Sequence, residues 1–203
     1  MRSFLLLSAA LLSAPAVAQE GDWIEMFNGK DLTGWKVSEN GQIKAENGTI
    51  VISGPRSHAF YTGREFKDFV FEAEVKTEPN SNSGIYFHTK YQEEGWPAQG
   101  HEIQVNNTYK SDPVRSGSLY NRVKLFTPAF NDGEWATYRI TVKGDTLRTE
   151  INDKVLYEYV QPPGVTEQPR FSQGLFALQA HDPGSVVRYR NLRVKSLDGA
   201  AGK

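Results

Sequence analysis

The sequence contains no cysteine among its 203 residues. A chain without thiols has no disulfides, no Cys-ligated zinc, no thiol nucleophile and no lipidated cysteine of the lipoprotein type. An excess of basic charge is missing as well, because 23 Lys and Arg residues are balanced by 24 Asp and Glu residues. This balance gives no electrostatic support for nucleic-acid binding, and an uncharged partner is the more natural expectation.

Long apolar runs are also missing after the first residues of the chain. The N-terminus combines Arg2, the apolar run 4–12 and the small-residue ending Ala16-Val17-Ala18, which are the features of a secretory signal peptide. The apolar part is shorter than the roughly 20 residues that a membrane-spanning helix needs. We therefore expect a signal peptide over 1–18, export to the periplasm or extracellular space, no membrane span, and one domain over 19–203.

Few stretches show the periodicity of a helix. Most of the chain consists of short runs in which apolar and polar residues alternate, separated by turn-forming residues. Asn47-Gly48 and Asn152-Asp153 each separate two such runs, as expected for tight hairpin turns. In the run 68–76, Phe69 and Phe71 fall on one face of a strand while Glu72 and Glu74 fall on the other. The pattern predicts an all-β domain, a jelly-roll sandwich of two antiparallel sheets.

Three predicted strands carry one apolar and one polar face. Alternation groups Tyr86 with His88 in the run 83–88, Glu102 with Gln104 in the run 101–106, and Gln179 with His181 in the run 174–181. If the three strands lie in one sheet, these side chains form a surface suited to sugar hydroxyls, since amides and carboxylates donate to and accept from them. A solvated outer face is the alternative interpretation.

The four histidines and Trp96 are candidates of different strength for the functional site. His181 precedes the predicted turn Asp182-Pro183-Gly184, where a general base or metal ligand can reach both solvent and substrate. His88 and His101 are weaker candidates, and His58 is expected at a turn or sheet edge without a role. Trp96, in the predicted loop 89–100, is our choice for an aromatic residue beside the ligand.

Several motifs together resemble the 3-keto-disaccharide hydrolase domain family. The opening run from Phe27 to Trp35 is similar to the first motif of that family, and five later motifs follow in order: Asn82-Ser83-Gly84-Ile85-Tyr86-Phe87, Glu102-Ile103-Gln104, Gly133-Glu134-Trp135, Leu178-Gln179-Ala180-His181 and Tyr189-Arg190-Asn191-Leu192. His88 departs from the pattern, because relatives often carry Arg at that position. The resemblance implies a concanavalin-like jelly roll that acts on glycosides oxidised at sugar carbon 3.

The implied substrate suggests a mechanism. A ketone at carbon 3 acidifies the proton on carbon 2, so a base can remove it, expel the carbon 1 substituent and leave an alkene to which water adds. We expect His181 as the base, Glu102 as the alternative base, and Tyr86, His88, Gln104, Gln179 and Trp96 as substrate-binding residues. A divalent metal ion held by Glu102 and His181 could polarise the keto oxygen.

Two other functions fit the same residues. A direct glycosidase would pair Glu102 with Glu72 or Glu74 across the glycosidic bond. A non-catalytic carbohydrate-binding module would use the same fold without turnover, since a fold does not determine a function. A concave pocket around His181 and Glu102 favours an enzyme, whereas a flat aromatic face favours a binding module.

Overall fold

The computed structural model describes residues 22–39, 41–164 and 169–198, and within them regular structure consists of β-strands alone. In chain order they are β1 (Trp23–Glu25), β2 (Trp35–Val37), β3 (Lys44–Glu46), β4 (Thr49–Ile52), β5 (Ser57–Phe66), β6 (Phe69–Thr77), β7 (Asn82–Thr89), β8 (His101–Asn106), β9 (Ala136–Lys143), β10 (Thr146–Ile151), β11 (Lys154–Val160), β12 (Gly174–Ala180) and β13 (Val187–Ser196). The expected signal peptide and the C-terminal residues 199–203 lie outside the described residues.

The strands form two antiparallel sheets, which confirms the predicted sandwich. The larger sheet has the order β11-β10-β9-β6-β13-β4-β3, with β1 also pairing with β13, and the smaller has the order β2-β5-β12-β7-β8. β7 and β8 follow each other in the chain, but the other neighbours in the smaller sheet are distant in sequence, so its centre forms only after the chain has crossed between the sheets. β12 lies between β5 and β7, and β7 lies between β12 and β8.

The hairpin turns are where the turn residues predict them. Asn47 and Gly48 join β3 to β4 with φ values of 49° and 73°, and Asn152 and Asp153 join β10 to β11 with values of 51° and 59°. Positive φ at both central residues matches the right-handed twist of the flanking strands, and Asn, Asp and Gly adopt it at least cost. These two hairpins are therefore specified locally.

The core lies between the two sheets and is rich in aromatic rings. Phe69 and Phe71 of β6 are fully buried, and the ring centroid of each lies 4.8 Å from that of Phe176 on β12 in the opposite sheet. Burying one such side chain stabilises the fold by roughly 1.5–3 kcal/mol relative to leaving it exposed. Glu72 and Glu74 point away from this core, as the alternation predicts.

Two long connections cover one face of the smaller sheet. The 90–100 loop joins β7 to β8, and the 107–135 connection joins β8 to β9. Both leave from β7 and β8, so they place loop residues beside the polar face of those strands. No helix within the described residues is long and apolar enough to cross a membrane.

Candidate active site

The three strands with mixed faces are neighbours in the smaller sheet, in the order β12-β7-β8. Tyr86 of β7 lies opposite Glu102 of β8 on one side and Ala177 of β12 on the other. Gly84 lies opposite Gln104. The condition that the three strands lie in one sheet is therefore met, and the polar side chains of three separate segments meet on one surface.

Glu102 is at the centre of this surface and is almost completely buried. Its Oε2 accepts a hydrogen bond of 2.8 Å from the Tyr86 hydroxyl, and its Oε1 accepts one of 3.2 Å from Gln179 Nε2. Burial raises the pKa of Glu102 from 4.5 to about 7, even though the hydrogen bonds from Tyr86 and Gln179 act in the opposite direction. Near neutral pH this carboxyl group can exist in either protonation state, as an acid–base residue requires.

Gly84 provides the space that Glu102 occupies. A Cβ atom at position 84 would lie 2.2 Å from Glu102 Oε1 and 2.8 Å from its Cδ. Carbon and oxygen atoms do not approach so closely without a bond, so any larger residue at this position would displace the carboxyl group. The glycine of the Asn82-Ser83-Gly84 motif therefore positions the acid on the neighbouring strand.

The amides beside Glu102 are buried and only partly satisfied. Gln104 Nε2 donates to Asn82 Oδ1 at 2.7 Å, and Gln179 Nε2 also donates to the Tyr86 hydroxyl at 3.1 Å. Gln179 Oε1 has no hydrogen-bond partner within the described residues. A buried amide oxygen without a partner costs about 1–3 kcal/mol, so this atom is ready to accept a hydrogen bond from a ligand hydroxyl.

His181 follows β12 and is held by the next residue in the chain. Its Nδ1 donates to Asp182 Oδ2 at 2.9 Å, since an ionised carboxylate can only accept. Asp182 is itself fixed by the Ser185 hydroxyl at 2.6 Å and the Gly184 amide at 2.9 Å. Burial raises the pKa of Asp182, but these hydrogen bonds outweigh it and the pKa lies below its usual value. Because Nδ1 carries the proton that binds Asp182, Nε2 of His181 has a free lone pair.

Trp96 of the 90–100 loop lies beside the site. The Trp96 ring centroid is 5.4 Å from that of His181 and 5.7 Å from that of His58. The Arg56 guanidinium lies over the Trp96 ring, with its Cζ 5.5 Å from the ring centroid. Arg56 is in turn paired with Glu39 at 2.6 Å. The tryptophan is 44% exposed, so one face remains available to a sugar ring.

His58 contradicts our expectation of a surface turn or edge position. It is fully buried in β5, opposite Gln179, and its ring centroid lies 5.6 Å from that of Tyr86. Neither ring nitrogen has a hydrogen-bond partner within the described residues, and burial lowers the pKa of His58 to about 4. His58 is covered by Trp96 of the 90–100 loop, a contact that the residues around position 58 do not reveal.

His88 does not join the site, and the prediction that it shares a face with Tyr86 is wrong. Its φ of 54° breaks the alternation at the end of β7. The ring turns toward the core, where Nε2 donates to Lys67 O at 2.7 Å and Nδ1 accepts from Ser172 N at 3.1 Å. Both ring nitrogens are thus used by the main chain, which gives His88 a structural position.

A cavity of about 470 Å³ collects most of the predicted residues. Its lining includes all but one of our candidates, namely Tyr86, Trp96, Glu102, Gln104, Gln179 and His181, together with His101. Burial lowers the pKa of His101 to about 3, so its imidazole is neutral. The cavity volume is in the range of small-molecule sites, and its concave shape is the arrangement that we expected of an enzyme.

Sequence reasoning missed several residues in the wall of this cavity. Asp112, Tyr120, Asn121 and Arg122 come from the 107–135 connection, and Asn82 comes from β7. The connection has no strand periodicity, so nothing in the sequence indicates which of its side chains face the strands. Asp182 was recognised only as a turn residue, although its position next to His181 was a usable signal.

The direct glycosidase arrangement that pairs Glu102 with Glu72 or Glu74 is contradicted. Both alternatives lie on the outer face of the larger sheet, whereas Glu102 lies on the smaller one. Glu72 accepts from Arg139 at 2.7 Å and from Arg193 at 2.8 Å, and Glu74 accepts from Arg190 at 2.6 Å. These carboxylates belong to structural ion pairs.

Glu102 and His181, the residues that we expected to hold a divalent metal ion, both line the cavity. Within 22–39, 41–164 and 169–198, no group of three or more His, Cys, Asp or Glu side chains is arranged to hold a metal ion. Both carboxyl oxygens of Glu102 accept hydrogen bonds from neighbouring side chains, and His181 Nδ1 is engaged with Asp182.

Comparisons with solved structures support the fold. A protein from Parabacteroides distasonis, provisionally named a glycosyl hydrolase, superposes with a TM-score of 0.72 at 23% identity, over 88% of this chain and 94% of that one. A carbohydrate-binding module from Bacillus subtilis superposes with a TM-score of 0.55 at 15% identity, over 90% of this chain and all of that one. At these identities the likeness concerns the galectin-like and concanavalin-like jelly roll alone.

Sequence comparison identifies the family. The chain is 25% identical to a 3-keto-disaccharide hydrolase of Bacteroides thetaiotaomicron, over 95% of this chain and 84% of that protein. The profile of the 3-keto-alpha-glucoside-1,2-lyase-like domain matches residues 22–195. That match contains all of the strands of the smaller sheet and every residue of the His181–Glu102 cavity described above. The chain belongs to the 3-keto-alpha-glucoside-1,2-lyase-like domain family.

Proposed function

We propose that this chain is an exported enzyme that cleaves glycosides whose sugar carries a ketone at carbon 3. One observation carries the proposal. A histidine oriented by a carboxylate, His181 with Asp182, lines the same cavity as a buried carboxyl, Glu102, whose pKa is about 7. A histidine with a free ring nitrogen and a buried carboxyl group, surrounded by amides, suit a substrate with an acidic C–H bond and several hydroxyls.

The proposed reaction is an elimination followed by hydration. A base takes the proton from carbon 2, and the electrons of that C–H bond form an enolate on the carbon 3 oxygen. The enolate then collapses, which restores the ketone, forms a double bond between carbons 1 and 2, and breaks the bond to the leaving oxygen. Water adds its hydroxyl to carbon 1 and a proton returns to carbon 2, so the net reaction is hydrolysis.

His181 is the proposed base. Its Nε2 lone pair is available because Nδ1 carries the proton that binds Asp182. After Nε2 has taken the carbon 2 proton, the imidazolium is stabilised by Asp182 and can pass a proton to the leaving oxygen on the neighbouring carbon 1. A positioned general base contributes about 10²–10⁴-fold to a rate.

Glu102 is the proposed electrophilic partner in its protonated form. A neutral carboxylic acid can donate a hydrogen bond to an enolate oxygen, and burial favours this form of Glu102. Burial and the neighbouring Glu102 raise the pKa of Tyr86, so Tyr86 remains a neutral phenol whose hydroxyl donates to Glu102 Oε2. Glu102 as the base is the alternative, and the two assignments predict opposite pH dependence.

The pH dependence separates the two roles of Glu102. If Glu102 acts as an acid, kcat/KM falls as pH rises through about 7, because the carboxyl loses its proton. If it acts as the base, kcat/KM falls as pH decreases through about 7. A non-catalytic binding module, the second candidate, would bind the sugar without turnover at any pH.

The direct test uses matched substrates. Purified protein is incubated with a 3-keto-glucoside and with the corresponding unoxidised glucoside, and release of the aglycone is followed. We expect release from the keto substrate alone, because only the ketone acidifies carbon 2. Cleavage of the unoxidised glucoside would contradict the proposal, and binding without release from either compound would favour the binding module.

A further inference from the structure

A fully buried histidine lies under the 90–100 loop. The His58 side chain is 0% exposed, and neither ring nitrogen has a hydrogen-bond partner within the described residues. Its neighbours are aromatic, with the ring centroids of Phe60, Tyr86 and Trp96 at 5.9, 5.6 and 5.7 Å from its own. A charged imidazolium is far costlier than a neutral imidazole in such surroundings, so His58 is neutral as long as it stays covered.

Trp96 is the part of this cover that belongs to a loop. Phe60 lies in β5 and Tyr86 in β7, whereas Trp96 lies in the 90–100 connection and is 44% exposed. The Trp96 ring also packs beside His181 in the cavity, with 5.4 Å between the ring centroids. A displacement of the loop would therefore expose His58 to water and widen the cavity beside His181 at the same time.

The tip of the loop, residues 92–98, is held together by one side chain. Gln92 Nε2 donates to Glu94 O at 2.6 Å and to Trp96 O at 2.9 Å. Gln92 Oε1 accepts from Ala98 N at 2.9 Å. These bonds connect the two arms of the tip, so the 92–98 tip can move as one body that carries Trp96 with it.

The bonds that attach the 92–98 tip to the neighbouring chain are weak ones. Lys36 Nζ lies 3.3 Å from Glu93 Oε1, and 53% and 74% of these two side chains are exposed. An exposed ion pair of this kind contributes little to stability. The Glu39 amide donates to Glu93 O at 3.2 Å. The packing of Trp96 on His58 is therefore an important part of what holds the tip down, and it depends on His58 being neutral.

Other charged and titratable groups also surround His58 and Trp96. Arg56 pairs with Glu39 at 2.6 Å, and its hydrogen bond holds the pKa of Glu39 below the usual value, so this pair stays charged between pH 5 and pH 7.5. Burial raises the pKa of Tyr86, so its phenol stays neutral. Three further groups have to be separated from His58 by experiment, namely Glu94 of the tip, Glu102 of β8 and His181 after β12.

We propose that the 92–98 tip is a lid over the cavity and that protonation of His58 opens it. Burial lowers the pKa of the covered imidazole from 6.5 to about 4. When water reaches His58, its pKa returns to the ordinary value, so the open form binds the proton more tightly and gains population as pH falls. These two pKa values make opening about 30-fold more favourable at pH 5 than at pH 7.5. The lid controls entry to the cavity and does not depend on the reaction proposed above.

The Glu39 amide reports lid opening, because its acceptor, Glu93 O, belongs to the lid. Its hydrogen exchange is measured by NMR at pH 5 and pH 7.5 and expressed as a protection factor, which removes the intrinsic pH dependence of exchange. The Ser38 amide is the internal control, since its acceptor at 2.9 Å is His58 O, outside the lid. His58→Phe keeps a ring at this position without a titratable group, and Trp96→Ala removes the cover.

We expect the protection factor of the Glu39 amide to be about 30-fold lower at pH 5 than at pH 7.5 in the wild-type protein, and that of Ser38 to stay constant. His58→Phe should remove this pH dependence. Trp135→Ala, the matched control, should keep it, because Trp135 lies beside Arg190 of the larger sheet. In Trp96→Ala the pKa of His58, measured from its Cε1–H resonance, should rise to about 6.5.

Three results would overturn the lid. Equal protection of the Glu39 amide at both pH values in the wild-type protein would mean that the tip does not respond to pH. The same loss of protection in His58→Phe would assign the opening to another group, such as Glu102 or His181. A His58 pKa that stays near 4 in Trp96→Ala would mean that Trp96 is not the cover, and this measurement decides the question even if His58→Phe does not fold. Each result leaves the proposed function standing, since none of them measures cleavage.

Discussion

Replacing Glu102 with glutamine should make the variant increasingly more stable than the wild-type protein as pH rises from 5 to 8. The buried carboxyl has a pKa of about 7 against an ordinary value of 4.5. The folded protein therefore holds the Glu102 proton at pH values where the unfolded chain has lost it, so folding stability falls as pH rises from 4.5 to about 7. Each tenfold difference in proton affinity corresponds to about 1.4 kcal/mol, which makes the full loss about 3 kcal/mol.

Glutamine has the size of glutamate and does not titrate, so Glu102→Gln removes this loss. The amide cannot accept the bonds from both Tyr86 and Gln179, and one lost hydrogen bond costs about 1 kcal/mol at every pH. At pH 5 the unfolded chain has already lost most of its Glu102 proton, which costs the wild-type protein about 1 kcal/mol and nearly equals the cost of the lost hydrogen bond in the variant. Between pH 5 and pH 8 we expect the variant to gain about 2 to 3 kcal/mol relative to the wild type.

The assay is urea unfolding of both proteins at pH 5, 6, 7 and 8, with Glu158→Gln as the control. Glu158 lies exposed on β11, so its substitution should leave the pH dependence of stability unchanged. A stability difference between Glu102→Gln and the wild type that stays constant within about 0.5 kcal/mol across this range would refute the reasoning. Glu102 would then be hydrated as an ordinary surface carboxylate and could not serve as the acid proposed here.

Three further predictions concern single features of the chain. His181→Ala should lower kcat on a 3-keto-glucoside by about 10²–10⁴-fold with little change in the thermal midpoint, because the side chain borders the cavity; wild-type turnover would remove His181 as the base. Gly84→Ala should lower activity by displacing the Glu102 carboxyl group. In the Gly84→Ala background, Glu102→Gln should no longer change how the free energy of unfolding depends on pH. Unchanged activity of Gly84→Ala would show that the position of the carboxyl group does not matter. Exported protein should begin near Gln19, which an intact mass measures, and retention of residues 1–18 would contradict the signal peptide.

The strands and their faces were predictable because alternation is a local signal. The runs around Tyr86, Glu102 and Gln179 each show a period of two, and the structure keeps the side chains of all three on one surface. What the alternation could not show is that β12 lies beside β7, since that pairing joins strands that are distant in sequence and comes from crossovers between the sheets. The resemblance to a family with a jelly-roll fold supplied part of that information.

The failures have specific physical causes. Alternation requires extended backbone, and the positive φ of His88 turns its ring into the core instead of the cavity. His58 follows a true turn signal, but its burial depends on the 90–100 loop, whose Trp96 packs against it. The wall residues Asp112 and Tyr120 lie in a connection without periodicity, where only the folded main chain determines which side chains face the strands.

The central claim is that cleavage proceeds through loss of the proton on carbon 2. The most direct measurement is turnover of a 3-keto-glucoside in deuterium oxide, with the released keto sugar examined by mass spectrometry and NMR for deuterium at carbon 2. Incubations of the substrate and of the free keto sugar without protein correct for spontaneous exchange. The account predicts one solvent deuterium at carbon 2 in each released sugar, whereas aglycone release with the original hydrogen retained would mean direct displacement at carbon 1 and would contradict it.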